Sequence, residues 1–171
     1  HHSSYDHDYC GECTWTTSQS GKTTYFHRAL EAKIVTESGL SISIATEWIA
    51  NEGEEYDKQD CEKKAFRRLA RKLKSYFPRL KICILGDGLY PNEPFFQICQ
   101  DNQWEYAVTF KDGNLPNVWK EVELLRHCGM EHHYKEHASK NTLLTQQYSW
   151  VRNIDYEGFM VNWIECQQSK V

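Results

Sequence analysis

A chain of 171 residues and 20.2 kDa is long enough to bury a core and short enough to be one domain, or one domain carrying an insertion. With 40% hydrophobic, 13% aromatic and 26% charged residues, its composition is that of a folded protein and excludes a disordered one. The net charge of −4 excludes a globally basic protein, yet ten of the twenty Lys and Arg residues fall between Lys58 and Lys81, so any basic surface is local.

Residues 1–22 are polar and rich in Ser, Thr, Gly and Asp, and are expected to form an irregular loop holding the pair Cys10 and Cys13. Thr23 to Val35 is aromatic and β-branched and reads as a strand. Ser38-Gly39 is a turn, and Leu40 to Ile49 alternates as a second strand, with Leu40, Ile42, Ile44 and Thr46 on one face. Together they make an antiparallel hairpin. Asp57 is the expected cap of a helix running to Tyr76, on which Cys61, Ala65, Phe66, Leu69, Ala70, Leu73 and Tyr76 recur at helical spacing. Lysines and arginines fill the other face, and Pro78 stops the helix.

Lys81 to Asp87 is a continuous apolar run ending in Gly-Asp-Gly, the pattern of a strand buried on both faces. A helix follows from Phe95 to Asn102, then a strand from Trp104 to Phe110. This alternation is the α/β signature. Residues 126–141, crowded with His, Glu and Lys, read as a solvated linker. From Leu143 the chain alternates again, with a turn at Tyr156-Glu157-Gly158. The organisation is thus a polar segment over 1–22, an α/β core over 23–125 and a β-rich insertion or subdomain over 126–171.

No apolar run approaches the roughly 18–20 residues that a bilayer span needs, so no membrane partner is expected. No signal-peptide pattern is read. The ends, His1-His2-Ser3-Ser4 and Gln167 to Val171, are expected to be cut from a longer protein. Of seven cysteines, five (Cys61, Cys83, Cys99, Cys128 and Cys166) are scattered, which suits reduced, buried thiols in a cytosolic protein.

Four constellations carry chemistry. Asp87 stands at the carboxyl end of a strand, where open α/β sheets bind ligands; the plainer reading is an Asp that starts a turn. Cys10-Gly-Glu-Cys13 has the spacing of half a tetrahedral zinc site, with His7, His27, His127, Cys128 or a later His as sources of the remaining ligands; otherwise it is two free thiols. His133-Tyr-Lys-Glu136-His137 matches H-x-x-E-H, which on a helix would serve a zinc peptidase. A third ligand would have to follow in the short remainder of the chain, and a His-rich linker explains the motif more simply. Lys63, Lys64, Arg67, Arg68 and Arg71 line the basic helix, as a solvated face or as contacts to a phosphate backbone. With no aromatic residues among them, neither base stacking nor sequence reading is indicated.

Several blocks in order resemble one bacterial branch of the DDE-type insertion-sequence transposases. They are Tyr25-Phe26-His27 through Lys33, Ser41 through Glu47, Lys58 through Glu62, Asp87-Gly88-Leu89-Tyr90, and Phe110-Lys111-Asp112-Gly113. The likeness spans about residues 10–165. It implies an RNase H-like mixed sheet flanked by helices, interrupted by a β-rich insertion. It implies metal-dependent hydrolysis and rejoining of DNA phosphodiesters at element ends, in the bacterial cytoplasm at the nucleoid, by a parent that dimerises. The family uses three carboxylates around two Mg2+ or Mn2+ ions. Asp87 matches the second. Asp6 and Asp8 lie in a polar run and Glu165 in a strand-like one, so the first and third are expected outside the 171 residues, and this piece alone is expected to be inactive. Glu47 and Glu52 are read as supporting or structural. The rival readings are a zinc-stabilised, non-catalytic module binding nucleic acid or a protein partner, and the zinc peptidase.

Overall fold

A computed structural model describes residues 2–5, 12–51, 60–111, 113–137 and 144–170. The described residues form a mixed α/β chain of nine strands, three helices and three sheets. Among them, no helix is long and apolar enough to cross a membrane. The chain divides into two compact units, His1–Ile82 with Asp101–Trp104, and Cys83–Gln100 with Glu105–Val171.

The first unit holds β1 (His2–Tyr5), β2 (Thr14–Thr17), β3 (Thr23–Val35), β4 (Ser41–Ile49) and the helix α1 (Glu62–Tyr76). β3 is its spine. Its first residues pair with β1 on one side and β2 on the other, and Arg28 to Val35 pair with β4, all antiparallel. The irregular loop expected over 1–22 is therefore corrected by two short strands. Their Ser, Thr, Tyr and Trp residues suit a pleated surface once β3 offers an edge on each side.

The hairpin is as read, with Gly39 in its turn at φ +83°. Its two faces are not. The register shifts between Ala32, opposite Ala45, and Lys33, opposite Ser43, which leaves Ile44 as the extra residue of a bulge. Toward the tip Leu40 and Ile42 are exposed, whereas beyond the bulge Glu47 and Ile49 are buried.

α1 lies against β4 and β3 and buries Ala65, Phe66, Leu69, Ala70 and Leu73. Burial of each large side chain in that stripe contributes roughly 1.5–3 kcal/mol. Cys61 and Tyr76, expected in the same stripe, fall at the ends and are exposed. The expected cap Asp57 lies outside the described residues. Asp60 stands at the start instead, its Oδ1 accepting the Cys61 N–H at 2.9 Å.

The second unit begins with β5 (Cys83–Gly86), α2 (Glu93–Asn102) and β6 (Glu105–Val108), a parallel pair with a helical crossover. β5 is not buried on both faces as expected: Leu85 is 62% exposed, because a two-stranded sheet offers one covered face. Under α2, Phe95 and Phe96 meet Tyr106 at 5.5 and 5.2 Å between ring centroids.

A further helix, α3 (Pro116–His127), is absent from the sequence reading. Its Val118 and Val122 form the core with Val151, Ile154 and Trp163 of β8 (Leu144–Tyr156) and β9 (Phe159–Lys170). β7 (His132–His137) completes an antiparallel sheet in the order β7-β8-β9. The turn joining β8 to β9 has Glu157 at φ +51° and Gly158 at φ +87°, the two positive values that a twisted two-residue hairpin requires.

Candidate functional site

Asp87 follows the last residue of β5 and is exposed. Its Oδ1 accepts the Leu89 N–H at 2.9 Å, a local turn that orients the carboxylate. The surrounding turn is tightly held. Asn114 Nδ2 donates to Gly88 O at 2.8 Å, and Asn92 Nδ2 donates to Tyr90 O at 2.8 Å. Asn92 Oδ1 accepts the Phe95 N–H at 3.2 Å, capping α2. The Lys111 side chain runs over Gly88, where a Cβ would stand 2.6 Å from Lys111 Cδ and push that flexible chain aside. Among the described residues Asp87 makes no ion pair, so its charge faces water.

The basic helix behaves differently along its length. Lys63, Lys64, Arg67 and Arg71 are exposed. Arg68 is held on two carboxylates: Nε donates to Glu47 Oε1 and Nη2 to Asp60 Oδ2, both at 2.6 Å. Nη2 also donates to Trp48 O at 2.8 Å. Lys72 pairs with Glu47 Oε2 and donates to Thr46 O at 3.1 Å. Burial opposes the charge on Glu47, but hydrogen bonds from Lys72 and Arg68 outweigh it and hold the carboxyl below its ordinary value of 4.5. Burial likewise opposes Asp60, and the Arg68 guanidinium with the Cys61 and Ala50 N–H groups holds it below 3.8. The hydrogen bond to Asp60 leads the causes that raise Arg68. Arg68 therefore fastens α1 to β4, whereas the other four cations remain at the surface.

No protein-family model, curated protein or solved structure matches this chain.

The His-rich stretch forms a strand rather than a solvated linker, with its side chains exposed as far as Lys135. The four-residue step from His133 to His137 covers about 13 Å along a strand, too far for one metal. H-x-x-E-H gains no helix here to make it a peptidase site. Of the zinc pair, Cys10 lies outside the described residues and Cys13 is buried; Glu52, Asp6, Asp8 and His7 also lie outside. Among the described residues no group of three His, Cys, Asp or Glu stands ready to hold a metal ion. Of the scattered cysteines only Cys99 is buried, and burial, with Cys83 beside it, pushes its thiol up to about 12.

Asp60, Lys72, Asn51 and Asn114 carry much of this geometry, and no pattern in the sequence singles them out. Asn51 bonds the Cys13 carbonyl through Nδ2 at 2.8 Å and the Asp60 N–H through Oδ1 at 2.8 Å. Nothing in periodicity marks an Asn between two elements as a clamp.

Proposed function

We propose that this chain is part of the catalytic region of a DDE-type transposase with an RNase H-like core, acting on DNA, and that Asp87 is one of its three metal-binding carboxylates. The observation that supports this most is the setting of Asp87. It stands at the carboxyl end of a parallel strand, turned to water, outside every ion pair among the described residues, in a turn fixed by Asn92 and Asn114. A carboxylate held in no ion pair keeps its charge available for a dication.

The donor chemistry fits Mg2+ or Mn2+, which take hard oxygen ligands. One carboxylate does not suffice, and the resemblance implies two more. When bound, a metal pair stabilises the attacking and leaving oxygens of an in-line phosphoryl transfer. This chain's part is to present the Asp87 carboxylate in a set direction, through the Leu89 N–H, and to offer Lys63, Lys64, Arg67 and Arg71 as phosphate contacts.

The test is Asp87→Asn in the full open reading frame, assayed by strand cleavage at element ends. Activity should fall about a thousandfold, with the melting temperature unchanged. Cleavage above about a tenth of wild type would sink the reading. The second reading, a non-catalytic binding module, draws on the exposed Lys63, Lys64, Arg67 and Arg71 of α1. It predicts salt-sensitive DNA binding with no cleavage, and indifference to Asp87→Asn.

A further inference from the structure

β5 and β6 run parallel and end level with each other, Gly86 opposite Val108. A bond from the Thr109 N–H to Gly86 O at 3.1 Å carries the pairing one step further. Two turns therefore leave the same end of this sheet, the first holding Asp87 and the second beginning at Lys111. Asn114 ties them together. Its N–H donates to Lys111 O at 3.0 Å, and its Nδ2 donates to Gly88 O at 2.8 Å. The Lys111 side chain crosses that tie. Its Cγ, Cδ and Cε pass 2.9, 2.6 and 2.7 Å from the place where a Cβ on residue 88 would stand, space that glycine leaves open. The ammonium, one bond beyond Cε, is thereby carried to the turn that holds Asp87. Lys111 is exposed, and like Asp87 it enters no ion pair among the described residues. The exposed cations of α1 belong to the other compact unit, whereas Asp87 and Lys111 lie in the same one.

We propose that Lys111 binds a non-bridging oxygen of the DNA phosphodiester brought to Asp87. Opposite charges at one sheet end that do not pair with each other are each left for a ligand. A phosphate accompanied by a dication answers both, the cation to the carboxylate and the phosphate oxygen to the ammonium. An ammonium is a compact charge on a flexible stem, able to follow a phosphate as its geometry changes. Charge placed there steadies the phosphate oxygens during transfer. The stem lying on Gly88 narrows where the ammonium can go, and no carboxylate of the described residues occupies it. This inference deepens the reading of Asp87 and rests on it.

The experiment uses the full open reading frame and a duplex carrying the element end. Binding is titrated against KCl in EDTA, which reads phosphate contacts with no metal bound, and cleavage is measured with Mg2+. Lys111→Met keeps an unbranched stem over Gly88 and removes the charge. It should lower the salt slope by about 0.9 and cut cleavage about a hundredfold, with the melting temperature unchanged. Lys111→Arg should keep the wild-type slope. Lys120→Met, which removes an exposed lysine on α3 in the same unit, should change neither quantity. An unchanged slope in Lys111→Met overturns the phosphate contact, even if cleavage falls. Unchanged cleavage overturns the place beside Asp87, even if the slope falls. An equal loss in Lys120→Met overturns both, since net charge then explains the effect. Should Lys111→Met fail to fold, Lys111→Gln supplies the same two readouts. With Asp87→Asn inactive and Lys111→Met like the wild type, the reading of Asp87 stands and this inference alone falls. An Asp87→Asn chain that still cleaves sinks the reading itself.

Discussion

Asp60, at the start of α1, and Asp87, at the end of β5, are both aspartates, and they are treated in opposite ways. Asp60 is buried, ion-paired with Arg68 and bonded to the N–H groups of Ala50 and Cys61. Asp87 is exposed and accepts from the backbone of its own turn. The first carboxylate is neutralised by a cation that belongs to the fold. The second keeps its charge for something that does not. Residue type alone therefore says little about a carboxylate's work. The deciding quantity is whether the fold supplies the counter-charge.

The largest expected difference between the two sites comes from removing each charge in turn. Asp87→Asn should abolish cleavage by the full reading frame, about a thousandfold, while leaving the thermal midpoint in place. Arg68→Ala should do the reverse. It strands Asp60 and half of the Glu47 pairing in a largely buried setting, and should cost about 2–3 kcal/mol in a denaturant titration, discounted for the partial exposure of Arg68. If Arg68→Ala leaves stability intact, the contrast fails on that side.

Acid should sharpen the same contrast. Glu47 and Asp60 have folded-state pKa values below their ordinary 4.5 and 3.8. The unfolded chain therefore binds their protons first as pH falls. Their contribution to stability is complete above the ordinary values and is lost as pH drops through the lower, folded ones. A stability profile from pH 6 to pH 2 should show that decline in the wild type, and Glu47→Gln should flatten it. The smallest effect concerns the surface cations. Arg71→Ala should change stability by less than about 0.5 kcal/mol, yet reduce the salt dependence of DNA binding by about one ion. An unchanged slope would leave α1 a solvated face.

Much of the fold was legible because local pattern and tertiary context agree. β3, the turn at Gly39, the apolar stripe of α1 and the β8–β9 turn follow from alternation, helical spacing and glycine. The failures have physical causes. β1 and β2 are polar segments that become strands only against β3, so nothing within them signals pairing. The bulge at Ile44 reverses the faces of β4, and alternation read straight through it puts Glu47 on the wrong side. α3 was legible in part: Pro116 in a first turn and Val118 and Val122 four apart are helix signals, obscured by the charged residues around them. At the candidate site, the strand-end position of Asp87 could be read directly. The spending of Arg68 on Glu47 and Asp60 could not, since that network joins positions far apart in sequence.

The core of the second unit sets an order on its making. Val118 and Val122 lie on α3, but the side chains that cover them, Val151, Ile154 and Trp163, are translated only later. During synthesis α3 emerges with its apolar stripe uncovered, and stays so until both arms of the β8–β9 hairpin have left the ribosome. The β3–β4 hairpin, by contrast, can pair as soon as Ile49 is clear. A ribosome stalled between α3 and β9 would hold out a half-built layer with an exposed valine face, which is the species that a chaperone would be expected to meet.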